Sequence, residues 1–231
     1  SADVLERFGL KLSLEPAAVE AIIEKIGIGF MFAPAFHPAM KYAAETRREI
    51  GIRTVFNILG PLTNPANADA QLLGVYDSKL VAPMAYALHK LGCQEAMVVH
   101  GLDGLDEIST IGNTIIAYLK EGNVVKTEWK PSDFELQKAK VSDLQTFTPE
   151  ESAEVIFKIL TNKLLGEKAD IVRVNAAAGI IVGGKAENFK EGMEIARESI
   201  ASGAAYNKLK ALVKASGGGL EKLEELESKY E

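Results

Sequence analysis

The stretch His100-Gly101-Leu102-Asp103-Gly104-Leu105-Asp106-Glu107 sets three carboxylates among two glycines, directly after the apolar run Ala96-Met97-Val98-Val99. Gly101 and Gly104 let the backbone turn tightly beyond a strand. Adjacent Asp106 and Glu107 on such a loop can both turn toward a cation. Hard oxygen donors of this kind suit Mg2+, which keeps several waters and takes one or two carboxylates together with phosphate oxygens. The same residues also suit a solvated acidic turn, because the spacing is not a dedicated metal motif.

A second group is cationic: His37 and Lys41, then Arg47, Arg48 and Arg53. His37, Lys41 and Arg48 stand at helical or near-helical spacing, so several cations can share a face. An arginine can grip a carboxylate or a phosphate through two parallel hydrogen bonds. Equally, these residues can form an exposed face paired with Glu45 and Glu49. The third segment, Asn57-Ile58-Leu59-Gly60-Pro61-Leu62-Thr63-Asn64-Pro65, is dense in turn formers and reads as a loop, a hinge or a pocket wall. Asn175-Ala176-Ala177-Ala178-Gly179 reads as a helix start whose small residues permit close packing. The three histidines form no triad with Ser or Cys, and neither a G-x-S-x-G elbow nor a Walker loop occurs.

The elements that must carry these groups follow from periodicity. Helices are expected at Val4 to Leu10, from Pro16 to Ile26 with Gly27 as the stop, and over His37 to Glu49. Gly29 to Pro34 is a short apolar run that suits a buried strand. Leu72 to Tyr76 and Ala96 to Val99 also read as strands, with a helix between them from Leu80 to Leu91. Thr114 to Leu119 and Val124 to Trp129 alternate around Glu121-Gly122-Asn123, a hairpin signal. Further helices are expected at Pro149 to Leu160, Val172 to Val182, Phe189 to Ser202, Ala205 to Lys214 and along the Leu220-Leu223-Leu226 tail. Buried strands alternating with helices predict an α/β fold, with a mixed or parallel sheet flanked by helices. Ligands in such sheets collect at the carboxyl ends of the strands, which points to the segments after Phe32 and after Val99.

Composition narrows the partners. The 231 residues are 47% hydrophobic and 25% charged, close to the average for a globular domain, with net charge −6. That charge gives no general attraction to nucleic acid or to an anionic membrane. Cys93 is the single cysteine, so an intrachain disulfide and a cysteine-based metal site are both excluded, and a reduced, cytoplasmic setting fits. Ser1-Ala2-Asp3-Val4-Leu5 has no initiator Met and runs straight into a helical pattern, as in a chain entered partway along.

Taken in order, these segments closely resemble the anthranilate phosphoribosyltransferases. The resemblance rests on Gly29 to Pro34 with His37-Pro38-Ala39-Met40-Lys41, on Arg53 to Pro65, on Val98 to Glu107, and on Asn175 to Ala178 with the helix from Lys190 onward. It implies a nucleoside phosphorylase/phosphoribosyltransferase-like fold. The implied reaction has anthranilate displace pyrophosphate from phosphoribosyl pyrophosphate, with Mg2+ required, in tryptophan biosynthesis. It also implies roles: Asp106 and Glu107 bind the metal, and Arg47 takes the anthranilate carboxylate. His37 and Pro61 line the anthranilate path, and Ser1 contacts phosphoribosyl pyrophosphate. No strong general base is required, because an aromatic amine attacking a cationic ribose carbon needs mainly positioning.

The resemblance further implies an α/β phosphoribosyltransferase domain over residues 1–36 and 66–231. Residues 37–65 become a helical hinge segment that would pack on an N-terminal helical domain. That helical domain is absent from the sequence, as are the family's Gly-Thr-Gly, Asn-Ile-Ser-Thr and Lys-His-Gly-Asn-Arg phosphate loops. On this reading the chain alone is inactive or nearly so, and the full-length form is a homodimer. Glu45 stands where the family often has Pro, with no loss of function expected from a helix-favouring residue. Two rival readings are a pyrimidine nucleoside phosphorylase-like enzyme and a non-catalytic relative that binds nucleic acid. The first should lack the His37 to Lys41 and Gly101 to Glu107 segments. The second needs a basic groove.

Overall fold

A computed structural model describes residues 2–36 and 56–230, and for Phe56 and Asn57 the backbone only. The expected His37 to Glu49 helix lies outside the described residues. By their contacts the described residues form two compact units, one of 2–36, 146–163 and 200–230, the other of 56–145 and 164–199. No helix among them is long and apolar enough to cross a membrane.

The second unit is built on a four-stranded sheet, β1 (Ala70–Gly74), β2 (Glu95–Gly101), β3 (Thr114–Lys120) and β4 (Asn123–Trp129), in that spatial order. β1 and β2 are parallel, while β2–β3 and β3–β4 are antiparallel, so the sheet is mixed. The β3–β4 hairpin turns at Glu121 and Gly122, both with positive φ, as a tight two-residue connection requires.

Period-two alternation along β2 feeds two separate cores. Ala96 and Val98 join Leu73, Val81, Met84, Ala85 and Leu88 on one face, under the helix Val81–Lys90. Met97 and Val99 join Val174, Ala177, Ala178 and Ile181 on the other, under the helix Glu167–Val182. Both faces of the strand are therefore buried, which explains its uninterrupted apolar run. The small residues of the longer helix do allow close approach: a Cβ on Gly192 would stand 3.0 Å from Ala177 Cβ. Trp129, Phe134 and Phe189 pack as a ring cluster in this core, with centroids 4.7–5.3 Å apart.

The first unit is helical. Its core gathers Phe8, Leu10, Ile22, Phe157, Tyr206, Leu212, Val213 and Leu223. These come from α2 (Pro16–Ile26), Pro149–Leu160, Ala204–Ala215 and Glu221–Tyr230, together with the chain that follows α1 (Ala2–Arg7). Gly27 ends α2 in the left-handed conformation, its N–H donating to Ile23 O at 2.7 Å. Burying a ring such as Phe157, 1% exposed, contributes about 2–3 kcal/mol.

Three expectations need correction. Gly29 to Pro34 is not a strand: the chain is irregular up to a single helical turn, Ala33–Phe36. A strand needs a hydrogen-bonded neighbour, and none is described in this unit; Phe30 and Phe32 pack against the helical core instead. The Leu59 to Pro65 loop begins as helix, because Phe56–Leu62 is α-helical with Pro61 inside it. Proline removes one helical donor, and the helix stops one residue later, where the Thr63 hydroxyl donates to Leu59 O at 3.0 Å. Last, Asn175 does not start a helix. It lies in the interior of Glu167–Val182.

Candidate functional site

The parallel pair β1–β2 directs both of its carboxyl ends the same way, and there the acidic loop begins. Beyond β2, Gly101 N–H donates to Leu105 O at 2.8 Å and Gly104 N–H to Gly101 O at 2.9 Å, with Gly104 at φ 102. Asp103 serves this turn. Its carboxylate accepts from Leu105 N–H at 3.2 Å and from the Ser109 hydroxyl. That hydroxyl oxygen in turn accepts from Ile111 and Gly112 N–H, at 2.9 and 3.1 Å. Of the three carboxylates, then, one is committed to holding the loop.

Asp106 and Glu107 are exposed, and among the described residues neither carboxylate has a hydrogen-bond or ion-pair partner. The Glu107 carboxyl sits above the ordinary carboxylate range, first because its surroundings desolvate it and second because Asp106 stands beside it. Two unneutralised carboxylates side by side are a seat that a divalent cation relieves. No cluster of three or more metal-ligating residues exists among the described residues. The loop thus offers two carboxylates open to solvent, a pair that would suit Mg2+ completing its shell with water and phosphate and would not suit a closed structural metal.

The backbone beneath the pair is fixed from two sides. A Cβ on Gly74, the last residue of β1, would lie 1.7 Å from Asp106 O, so the loop rests directly on the glycine. Gly74 is held in turn: it pairs with Val99, Val75 N–H donates to Val99 O at 2.9 Å, and buried His100 donates from Nδ1 to Val75 O at 2.7 Å. On the other side, Asn175 bonds both backbone polar groups of Ile108, the residue after Glu107.

Of the residues singled out in the sequence, Asp106 and Glu107 stand together on this loop. Pro61 is in the same unit, its carbonyl accepting from Gln71 Nε2 at 3.2 Å. Pro61 is therefore tied to the beginning of β1, whereas Asp106 rests on its end, about 10 Å further along the strand. Ser1, His37 and Arg47 lie outside the described residues. Gly74, Ser109 and the loop-holding role of Asn175 were not apparent from the sequence. An asparagine in a helix interior was the available signal, because that position disfavours it.

A cavity of about 790 Å3 lies elsewhere in the unit, lined by Phe134, Asp170, Arg173, Lys190, Glu194 and Arg197 among others, none of them from the acidic loop. Within it Arg173 pairs with Asp170, and Arg197 with Glu194.

Residues 1–206 match the family model described as "Glycosyl transferase family, a/b domain". The chain is 51% identical over 216 residues to an anthranilate phosphoribosyltransferase of Nitrosomonas eutropha, covering 94% of this chain and 63% of that one. Against the Haloarcula marismortui enzyme of the same name it is 49% identical, with 93% and 65% covered. Among solved structures, the anthranilate phosphoribosyltransferase of Thermus thermophilus superposes with TM-score 0.86 at 42% identity, over 93% of this chain and 64% of that one. The Saccharomyces cerevisiae enzyme, described in complex with PRPP and Mg, gives 0.84 at 30% identity, over 94% and 62%. The chain thus spans slightly less than two thirds of the length of these relatives. With the mixed sheet and its terminal loop in place and the family model covering most of its length, the chain belongs to the glycosyl transferase family through that family's a/b domain.

Proposed function

We propose that the polypeptide carrying this chain transfers the phosphoribosyl group from phosphoribosyl pyrophosphate to anthranilate and releases pyrophosphate. The observation that carries this reading is the Asp106–Glu107 pair at the carboxyl end of β2, without partners among the described residues, in a chain about half identical to enzymes of that name. A divalent cation held by the pair would supply positive charge to the departing pyrophosphate, whose negative charge grows in the transition state.

The chain's own residues divide the remaining work. Asp106 and Glu107 present their oxygens on a loop fixed by Gly74 and Asn175. Arg47 takes the anthranilate carboxylate through its two-pronged guanidinium, while His37 and Pro61 line the acceptor's path. Ser1 contacts phosphoribosyl pyrophosphate. The amine nucleophile arrives already oriented, and orientation alone contributes much of the rate when the ribose carbon carries positive charge. A homodimeric full-length enzyme in the cytoplasm, with no nucleic-acid or membrane partner, completes the reading.

The test is consumption of anthranilate, followed by its fluorescence, with phosphoribosyl pyrophosphate and Mg2+ supplied to the full-length polypeptide. Metal-dependent loss of anthranilate matched by pyrophosphate release is expected. Inertness toward anthranilate alongside phosphate-dependent cleavage of thymidine would place the protein with the nucleoside phosphorylases and overturn the reading.

A further inference from the structure

Between Gly104 and Ser109 the chain has no helical or strand hydrogen bonding to hold it, yet this is where the two carboxylates must stand still. The anchor directly after the pair is Ile108, whose side chain is fully buried in the core beneath the sheet. Its N–H donates to Asn175 Oδ1 at 2.9 Å, and its carbonyl accepts from Asn175 Nδ2 at 2.9 Å. The same Nδ2 donates to Ile171 O at 2.9 Å, one turn earlier in the Glu167–Val182 helix, which fixes the amide's rotamer. A primary amide carries an acceptor and a two-hydrogen donor side by side, so it alone matches a backbone N–H and C=O together with a helix carbonyl. The carbonyl of Asp106 meanwhile lies against Gly74.

We propose that Asn175 is a positioning residue for the divalent-cation site: it grips the peptide of Ile108 and so sets where the Asp106 and Glu107 carboxylates stand. Asn175 touches neither cation nor substrate in this account. Residues that orient metal ligands in this way typically change metal affinity about 10–100-fold when replaced. The inference rests on the reading of Asp106 and Glu107 as the cation's ligands.

The test uses Mn2+, alone and with inorganic pyrophosphate, titrated into the full chain and followed by the electron paramagnetic resonance signal of free Mn2+. Asn175→Ala removes the grip, and Asn175→Asp keeps the volume while placing a second acceptor against Ile108 O. Both should weaken Mn2+ binding about 10–100-fold, and both should expose the Ile108 amide to hydrogen exchange. Phe189→Leu loosens the same core without touching the loop, and should lower the melting temperature while leaving Mn2+ affinity within about threefold of wild type. If the Asn175 variants bind Mn2+ as wild type does while Asp106→Asn/Glu107→Gln loses it, the positioning role is wrong and the metal pair stands. If the double carboxylate variant also binds Mn2+ normally, the metal reading fails and the positioning role fails with it.

Discussion

Replacing Gly74 by alanine forces a collision whose size can be read from the structure. The new methyl carbon would lie 1.7 Å from Asp106 O, and Cβ atoms essentially never come within 3.0 Å of such an atom, so the two must separate by about 1.3 Å. β1 cannot yield easily, being paired with β2 and bound through Val75 to both Val99 and His100. The loop must therefore lift, against the two hydrogen bonds between Ile108 and Asn175. Overpacking of this kind costs about 1–3 kcal/mol, and each lost hydrogen bond about 1 kcal/mol more, for a total near 3–5 kcal/mol. In a chain of this size the melting temperature should fall on the order of 10 °C. A displacement above 1 Å at the carboxylates should also lower metal-dependent turnover on the order of 100-fold. Circular dichroism melts of the chain and initial rates of the full-length polypeptide at saturating Mg2+ measure the two effects. At most strand positions Gly→Ala stabilises, so the sign is diagnostic. A Gly74→Ala protein that melts within about 2 °C of wild type and turns over normally would refute the contact on which the site's geometry depends.

The Cys93 thiol is buried, donates weakly to Asp69 O and Glu95 O, and is pushed above its ordinary pKa mainly by that burial. It should react with iodoacetamide only on unfolding, so its rate should follow the denaturant transition; rapid labelling of the native protein would contradict its placement. Glu227 sits below its ordinary pKa of 4.5, chiefly through the Lys210 ammonium at 2.9 Å and also through the Tyr206 hydroxyl at 2.9 Å. A depressed carboxylate stabilises the fold above its unfolded pKa and loses that contribution as the pH falls. Lys210→Met should therefore cost about 0.5–1 kcal/mol at pH 7, with the gap from wild type closing as the pH falls below the ordinary carboxylate range. Phe189→Leu breaks two ring contacts, to Trp129 and to Phe134, and should cost about 1–3 kcal/mol while shifting the fluorescence of Trp129, the single tryptophan.

How much was legible depended on whether a signal was local. The hairpin at Glu121-Gly122 and the stop at Gly27 depend on left-handed backbone that few residues adopt, and both are where the pattern put them. The run Ala96 to Val99 reads as doubly buried because each face of β2 really has its own helix. Gly29 to Pro34 misled for the same reason inverted: an apolar run says only that side chains are buried, and these go into a helical core with no strand to pair. Of the site, the adjacency of Asp106 and Glu107 is a property of the sequence. What holds them is not, because Gly74 and Asn175 reach the loop from positions 32 and 67 residues away, as the contacts Gly74–Asp106 and Ile108–Asn175 record. Asp103 looked equivalent to its neighbours until the Ser109 hydroxyl claimed it.

The most direct test of the metal pair is the Mg2+ dependence of phosphoribosylanthranilate formation in the full-length polypeptide, compared between wild type and the single variants Asp106→Asn and Glu107→Gln. Each variant should need about 10–100-fold more Mg2+ for half-maximal rate and should show a lower limiting rate, while the melting temperature stays near that of wild type because neither side chain has a partner among the described residues. Unchanged Mg2+ dependence in both variants would contradict the account, and would return the Asp106–Glu107 loop to an exposed acidic turn.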